Sequence, residues 1–554
     1  MIDDKTANKR SEALKKKLEE IRLLEEELKS KNLAQKLGLP YSDLKTAAID
    51  PEALSLLDEE SARSGNIAII FKNDAKLIVA VLDPNNITTQ KIISELRKKF
   101  DISLVITNPH SLQKILERYR TISKAEIFKI GAIEINEQEL DQWEKEIKNV
   151  SDIKNKISNL TTTSLLEIII AGALKVKASD IHLEPESTQA RLRYRLDGIL
   201  HDITWLDLQS YTKITNRIKV LSKMKLNIHN VPQDGRITLH LKSVDIEVRV
   251  SVLPSEFGET TVMRLLDPRN IKQKLEDLGI RNDLLIKIKE VLKKPIGAIF
   301  TTGPTGSGKT TLLYAFINYL NDPETKIITI EDPIEYHISG ISQTQVDHKR
   351  GYTFANGLRA IVRQDPDIIL VGEIRDVETA DIALQAALTG HLVFSTIHTN
   401  NAAGTFPRLI DLGIRPPVIA PAINMAIAQR LLRKLCDNCK KIRKVTEQEL
   451  QKIKKILTPV IGRVNLPNLN ENITIGEPGK CEECNQVGYK GRVGIFEALE
   501  MTRNMEKLIL TSPTISNIQD LAIEEGMITM QQDAYIKLIE KITSLEEIER
   551  ILGG

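Results

Sequence analysis

The stretch that decides the fold reads IGAIFTTGPTGSGKTT, residues 296–311. From Ile296 to Thr302 it is apolar and β-prone, which predicts a buried strand. Gly303, Pro304, Thr305, Gly306, Ser307 and Gly308 make a Gly-rich loop. Lys309, Thr310 and Thr311 then open a segment with helical spacing. Together they fit G-x-x-x-x-G-K-[ST], in the strand–loop–helix context that a P-loop needs. Glycines let such a loop curl until successive N–H groups point at phosphate oxygens. The helix behind it adds the positive end of its dipole. Lys309 suits the β/γ-phosphates, and the Thr310 hydroxyl suits Mg²⁺.

Downstream, residues 326–330, 367–371 and 391–396 read as buried strands. They deliver Glu331 and Glu335, then Glu373, then His398 near their C-terminal ends, with His391 opening the third. Repeated βα units of this kind describe an open parallel sheet, whose ligands bind at strand ends. Any one carboxylate can be a helix cap or a salt-bridge partner. Grouped beside a P-loop, they suit hydrolysis: one polarises the attacking water, another holds Mg²⁺ through its water shell. Arg359 and Arg363 share one face of a helix expected over 354–364 and suit either plain helix surface or a subunit interface.

Upstream, a helix is expected over 163–176. Alternating Arg191–Leu192–Arg193–Tyr194–Arg195 before Asp197–Gly198 predicts a hairpin. Residues 236–241 and 244–250 predict a second one. Arg236, Arg249 and Arg264 fall in this mixed α/β region. A strand arginine is commonly a solvated edge residue; a guanidinium aimed at a γ-phosphate is the alternative.

All four cysteines stand in two C-x-x-C pairs, Cys436/Cys439 and Cys481/Cys484. Two thiolate pairs suit a closed tetrahedral, structural Zn²⁺ site, with residues 440–480 as a finger-like insertion. Lys+Arg 77 against Asp+Glu 75 leaves a net charge of only +2, which argues against bulk nucleic-acid binding. The N-terminus has no signal-like apolar core, and no apolar run approaches the roughly 20 residues of a membrane span. A cytoplasmic location is therefore expected.

At 554 residues several domains are needed. Residues 1–35 read as an amphipathic helix with Leu14, Leu18, Ile21, Leu24 and Leu28 in one stripe. Residues 36–122 read as a small α/β domain with strands near 67–71, 76–81 and 102–106 and a helix over 87–100. It carries no evident chemistry, so it is taken as a docking or regulatory module. Residues 123–160 read as a charged helical linker, 161–275 as the mixed α/β domain, and 276–554 as the P-loop domain. The last includes the cysteine insertion, 434–486, and a helical C-terminus, 495–554, with helices expected over 514–525, 530–541 and 544–552.

Four boxes in order resemble those of the secretion ATPases of type II secretion and type IV pilus assembly. GPTGSGKTT (303–311) resembles their Walker A loop, TIEDPIEY (329–336) their Asp box, DPDIILVGEIRD (365–376) their atypical Walker B and TGHLVFSTIHTNNA (389–402) their His box. ASDIHLEP (178–185), PQDGRI (232–237) and the cysteine pairs match as well. The resemblance implies an α/β multidomain fold: a RecA-like P-loop core, a preceding PAS-like α/β domain, a small N-terminal α/β domain and a zinc-binding insertion. It implies ATP, Mg²⁺ and Zn²⁺ as cofactors. It makes Glu335 the leading candidate base and Glu331 the second. Glu373 is assigned to the Mg²⁺ shell, and His391 and His398 to γ-phosphate sensing or coupling. Arg236, Arg249 and Arg264 become phosphate contacts. The family works as a homo-hexamer on an inner-membrane platform protein, so the chain is expected at the inner face of the cytoplasmic membrane, attached only indirectly. Its N-terminal domain would dock a cytoplasmic assembly component, and no direct nucleic-acid partner is implied.

Retraction motors typically lack both the N-terminal extension and the cysteine pairs, which favours extension or secretion here. A nucleic-acid translocase and a non-hydrolysing nucleotide-binding subunit are the competing classes. The near-neutral charge disfavours the first, and the intact Lys309, Thr310, Glu335 and Glu373 disfavour the second. Two departures stand out. The paired Arg-Leu-Gly signature with which some relatives bind cyclic di-GMP is missing. Lys541 stands where relatives often place glycine, a change expected to be without functional effect.

Overall fold

The computed structural model describes residues 22–44, 53–54, 56–73, 76–98, 100–121, 132–134, 162–241, 244–271, 274–511 and 513–553. Residues 1–21 of the expected N-terminal helix, and all of the expected linker but 132–134, lie outside them. The chain forms two compact units, one holding residues 1–133 and 220–223 and the other 134–219 and 224–554.

In the first unit a helix runs over residues 22–37. Leu24 and Leu28 of the apolar stripe stay exposed, and Ala34 enters the core instead. Strands β1 (Ile67–Asn73), β2 (Lys76–Val81) and β3 (Asp101–Ile106) form a sheet in that order. The β1–β2 pair is antiparallel, and β3 joins β2 in parallel through the Ile87–Arg97 helix, as a parallel crossover requires. Ile67, Ile69, Leu77, Val79 and Ile106 fill the core. Tyr119 closes it, its hydroxyl donating to the Leu54 and Leu57 carbonyls at 2.8 and 3.0 Å. A short strand β4 (Ala132–Glu134) follows.

The second unit begins with the Thr162–Lys175 helix. Strands β5 (Asp180–Pro185), β6 (Gln189–Leu196), β7 (Ile199–Asp207), β8 (Gln233–His240), β9 (Asp245–Ser255) and β10 (Gly258–Leu266) follow. They lie side by side, antiparallel, in the order β8-β9-β10-β5-β6-β7. The β6–β7 hairpin turns at Asp197 and Gly198, with φ of 47° and 88°, the positive pair that an Asp-Gly turn supplies. The sheet exceeds the expectation by β5 and β10, whose mixed patterns carry weak strand signals, and the Leu208–Leu221 helix was likewise not foreseen.

The P-loop sheet comprises β11 (Gly297–Thr302), β12 (Ile327–Glu331), β13 (Ser342–Gln345), β14 (Ile368–Val371), β15 (Leu392–Ile397), β16 (Ile423–Leu435) and, after two strands of the cysteine region, β19 (Tyr489–Glu500). Its order is β13-β12-β14-β15-β11-β16-β19, parallel except for β19. Strands β11, β12, β14 and β15 are buried along their whole length, as expected of a sheet covered on both faces. One face packs on the Asn282–Leu292 and Lys309–Leu320 helices through Leu313, Phe316 and Phe394. The other packs on Val377–Leu388, Pro416–Ala422 and the C-terminal helices.

The segment between the cysteine pairs is not a finger. It folds as β17 (Lys441–Lys444), the Glu447–Leu457 helix and β18 (Thr474–Glu477). Leu450, Ile453, Leu457, Ile473 and Ile475 are buried in the main core. The apolar spacing of 450, 453 and 457 is a helical packing face, and it outweighs the reading from cysteine spacing alone.

The C-terminal helices begin at Thr514, Thr529 and Ser544, whose hydroxyls cap the third N–H of each, and end within two residues of expectation. Arg503–Ile509 is an added helix. Lys541 has φ of +60°, a left-handed conformation that costs a side chain roughly 1 kcal/mol relative to glycine.

The last helix clamps β16. Glu547, fully buried, accepts from the Arg433 backbone N–H at 3.0 Å and from its guanidinium at 2.8 Å. Arg433 also lies 3.9 Å over the Tyr489 ring. Glu547→Ala leaves a buried guanidinium facing no carboxylate there, and is expected to cost about 3–5 kcal/mol. Calorimetry should show the main transition of the second unit displaced well downward; an unchanged transition would contradict the clamp.

Candidate functional site

The loop after β11 supplies the first part of the site. Gly303 has φ of 143°, and a Cβ there would stand 2.5 Å from the Gln429 carbonyl oxygen of β16. Gly308 has φ of 91°, and its Cβ would meet Gln429 Nε2 at 2.7 Å. Only glycine satisfies both the curl and this close approach. The Lys309–Leu320 helix starts directly behind, with Gly308 as its N-cap. Lys309 Nζ donates to the Gly303 and Pro304 carbonyls at 2.7 and 3.0 Å, so the ammonium stands inside the curl. Burial pushes its pKa below the ordinary lysine value, opposed by the nearby Glu373 carboxylate. The buried Ser307 Oγ has no hydrogen-bond partner. An inward cation, an unpaired buried hydroxyl and a helix N-terminus fit a polyphosphate.

Parallel register sets the second part. Thr302 lies opposite Ile397, and Val371 opposite Ser395. The residues after β11, β14 and β15 therefore leave the sheet on one edge, together with Glu331 at the end of β12. Glu373 and His398 meet there, His398 Nε2 lying 3.4 Å from Glu373 Oε2, while Arg375 pairs with Oε1 at 2.6 Å.

Glu331 and Glu335 are not alike. Glu331 is buried, and both its oxygens are engaged. Oε1 accepts from Thr329 Oγ1 at 2.6 Å and Gln343 Nε2 at 3.2 Å, and Oε2 accepts from the Tyr314 hydroxyl. Glu335 is partly exposed and accepts from Arg249 Nη1 at 3.1 Å, while Arg249 Nη2 donates to the Ile334 carbonyl at 2.6 Å. His391 corrects the expectation for the histidines. It precedes β15, level with Gly297, its ring near the Ala386 carbonyl. Six residues of strand, roughly 20 Å, separate it from the P-loop edge. His398 joins the site within this chain and His391 does not.

The arginines form a row. Arg236 pairs in register with Arg249, and Arg249 with Arg264, across β8, β9 and β10. The row continues to Asp180 on β5 and Arg195 on β6. Like charges directly opposite one another are unfavourable unless countered. Glu247 lies 3.6 Å from Arg236 and 3.4 Å from Arg249, and Asp180 binds Arg264 at 2.9 Å and Arg195 at 3.1 Å. Although burial pushes Asp180 upward, the Arg264 and Ser179 hydrogen bonds hold it below the usual carboxylate range.

The four cysteine sulfurs converge where β16 ends. All lie within 4.8 Å of one another, with Cys436–Cys481 and Cys439–Cys484 at 3.7 Å and Cys481–Cys484 at 3.6 Å, a cluster that can hold a metal ion. Sequence reading missed Gln429, Tyr314 and Gln343. Each is an ordinary residue type inside an ordinary element, and only the tertiary fold aims it at the loop or at Glu331.

The chain matches the family model for the type II/IV secretion system protein over residues 156–550 and that for the MshEN domain over 37–126. It is 35% identical over 518 residues to a type IV pilus assembly ATPase of Myxococcus xanthus, covering 93% of this chain and 89% of the relative. It is 40% identical over 416 residues to the type II secretion system protein E of Aeromonas hydrophila, covering 75% of this chain and 80% of the relative. The Legionella pneumophila ATPase DotB shares the fold, with a TM-score of 0.52 at 23% identity over 71% of this chain and 96% of that one. With the phosphate loop, the carboxylate edge and a family match over most of its length, the chain belongs to the type II/IV secretion system protein family and is one of its ATPases.

Proposed function

We propose that this chain is the hexameric motor that drives type IV pilus assembly by ATP hydrolysis, acting through an inner-membrane platform protein. The edge that brings Lys309, Glu373 and His398 together carries the hydrolytic reading. The pilus reading rests on the alignment with a pilus assembly relative through 93% of the chain. The 40% identity to one type II secretion protein E, and the alignment of another through 90% of the chain at 36% identity, support a second reading, extension of a pseudopilus. No described helix is long and apolar enough to cross a membrane, which is compatible with attachment through partners. In this reading the first unit docks a cytoplasmic component of the machine.

In the proposed mechanism the loop N–H groups and Lys309 hold the β/γ-phosphates. The Thr310 hydroxyl and, through water, the Glu373 carboxylate would hold Mg²⁺, which would spread charge off the phosphates. Glu335 takes the proton of the attacking water. Glu331, with both oxygens engaged, serves to brace the Asp box rather than as a second base. Arg249 holds Glu335 in the present arrangement. Its transfer to phosphate would release the base at the moment it is needed, which makes Arg249, with Arg236 and Arg264 in the same row, a link between occupancy and hydrolysis. His398 reads the γ-phosphate through Glu373.

The cysteine cluster is proposed as a structural zinc site. Zn–S bonds of about 2.3 Å in a tetrahedron place sulfurs about 3.8 Å apart, close to the spacing here. Four thiolates leave no position for substrate.

Glu335→Gln should keep nucleotide affinity and lower kcat by about 10²–10⁴-fold, the usual contribution of a general base; near-normal turnover would remove Glu335 from that role. Elemental analysis of protein purified without chelator should find about one zinc per chain, and chelation should unfold the cluster. A stoichiometry near zero defeats the assignment. Deleting the gene should abolish surface pili while leaving protein secretion intact. Loss of secretion with normal piliation would select the second reading.

A further inference from the structure

The loop that follows β15, residues 398–404, carries His398 and is tied to neighbouring elements, most closely at Thr399 and Ala402. Thr302 is the last residue of β11 before the phosphate loop. Its hydroxyl accepts from the Thr399 N–H at 2.8 Å and donates to the Thr399 carbonyl at 2.9 Å. Ala402, three residues on, donates its N–H to Glu497 Oε1 at 2.9 Å. Glu497 lies on β19, opposite Ala428 of β16, and is only 4% exposed. Its other oxygen accepts from the Met530 N–H at 3.0 Å, at the start of the Met530–Ile539 helix, where a carboxylate is favoured.

A carboxylate buried without partners costs several kcal/mol, and at Glu497 the two backbone donors, one on each oxygen, meet that cost and fix its position. Here it joins the His398 loop to the C-terminal helices, while Thr302 joins the same loop to the phosphate strand. Inside the loop, the Thr399 hydroxyl donates to the Asn401 carbonyl at 2.9 Å, and Gly404 N–H donates to Asn401 Oδ1 at 2.9 Å. The 398–404 turn is thus braced along its length. His398 itself is half exposed and touches Glu373 at 3.4 Å, so its position depends on its backbone rather than on packing.

We propose that Glu497 and Thr302 are positioning residues for turnover: they hold the His398 loop so that His398 stands against Glu373. Neither is assigned contact with nucleotide. This rests on the reading of His398 given above. It adds that the Glu497 carboxylate wires the C-terminal helices to the hydrolytic edge, beside a longer Asn401–Gln519 hydrogen bond of 3.4 Å.

The test uses the full-length protein. Mg-ATP turnover and the affinity of a non-hydrolysable ATP analogue are measured for Glu497→Gln and Thr302→Val, each in the wild-type and the His398→Ala background, with thermal melting of every variant. Glutamine keeps the size of Glu497 but offers one acceptor oxygen for two donors, and valine keeps the shape of Thr302 without its hydroxyl. A misplacement of this kind is expected to lower kcat by about 10–100-fold, with analogue affinity changed less than about twofold. In the His398→Ala background the further loss should be under about twofold, since the loop then has nothing left to position. Losses that multiply in that background overturn the positioning role alone. A lowered melting temperature with unchanged kcat does the same, and reduces both residues to scaffold. If His398→Ala by itself leaves kcat unchanged, the reading of His398 falls, and the positioning role with it. Should Glu497→Gln fail to fold, Thr302→Val decides by the same criteria.

Discussion

The hydrogen-bond register between β11 and β15 is the constraint on which the rest of the site depends. Gly297 faces Leu392, and Thr302 faces Ile397. Because both strands run the same way and end level, whatever follows them emerges at one edge. A slip of one residue would turn every side chain of β15 to the opposite face. It would also draw Thr399 away from Thr302. The register is fixed by burial: both strands are covered on both faces by helices, so no slipped arrangement buries the same side chains. Function at this edge is therefore specified first by packing and only then by chemistry.

The two sheets of the second unit divide the task. The P-loop sheet contributes groups that follow strands, on loops whose backbones are individually braced. The antiparallel sheet contributes groups within strands, where register alone aligns Arg236, Arg249 and Arg264. The Arg249–Glu335 contact at 3.1 Å is where the two sets meet. Asp197 makes another contact between them, accepting from the Gly491 N–H at 2.8 Å at the base of the cysteine cluster. The tip of the β6–β7 hairpin is thereby fixed against the long β16–β19 ribbon.

Much of this was legible in the residues. The phosphate loop carries its own grammar of glycine, lysine and threonine. Glu373 and His398 were legible because continuous apolar runs announce the strands they follow. The start of the last helix follows from the Ser544 hydroxyl cap. What escaped has physical reasons. The exclusion of His391 from the P-loop edge depends on which end of a parallel strand faces the loop, and a motif that spans the strand carries a histidine at each end. The engagement of Glu331 depends on Tyr314 and Gln343, which lie on other elements. The segment between the cysteine pairs looked like an excursion because metal spacing dominated its reading, yet its own helical apolar face at Leu450, Ile453 and Leu457 sends it into the core. Glu497 lies in β19, within the stretch from residue 495 that was expected to be helical, and only tertiary contact reveals what its two oxygens do.

The row of guanidinium groups has a thermodynamic consequence. Three cations in register on neighbouring strands repel one another, and Glu247, Asp180 and Glu335 offset that repulsion. Any polyanion that settles on this face relieves the repulsion, and by mass action what relieves it also raises the stability of the sheet that presents it. If the phosphates meet these arginines as proposed, the stability of the folded sheet is coupled to the supply of nucleotide.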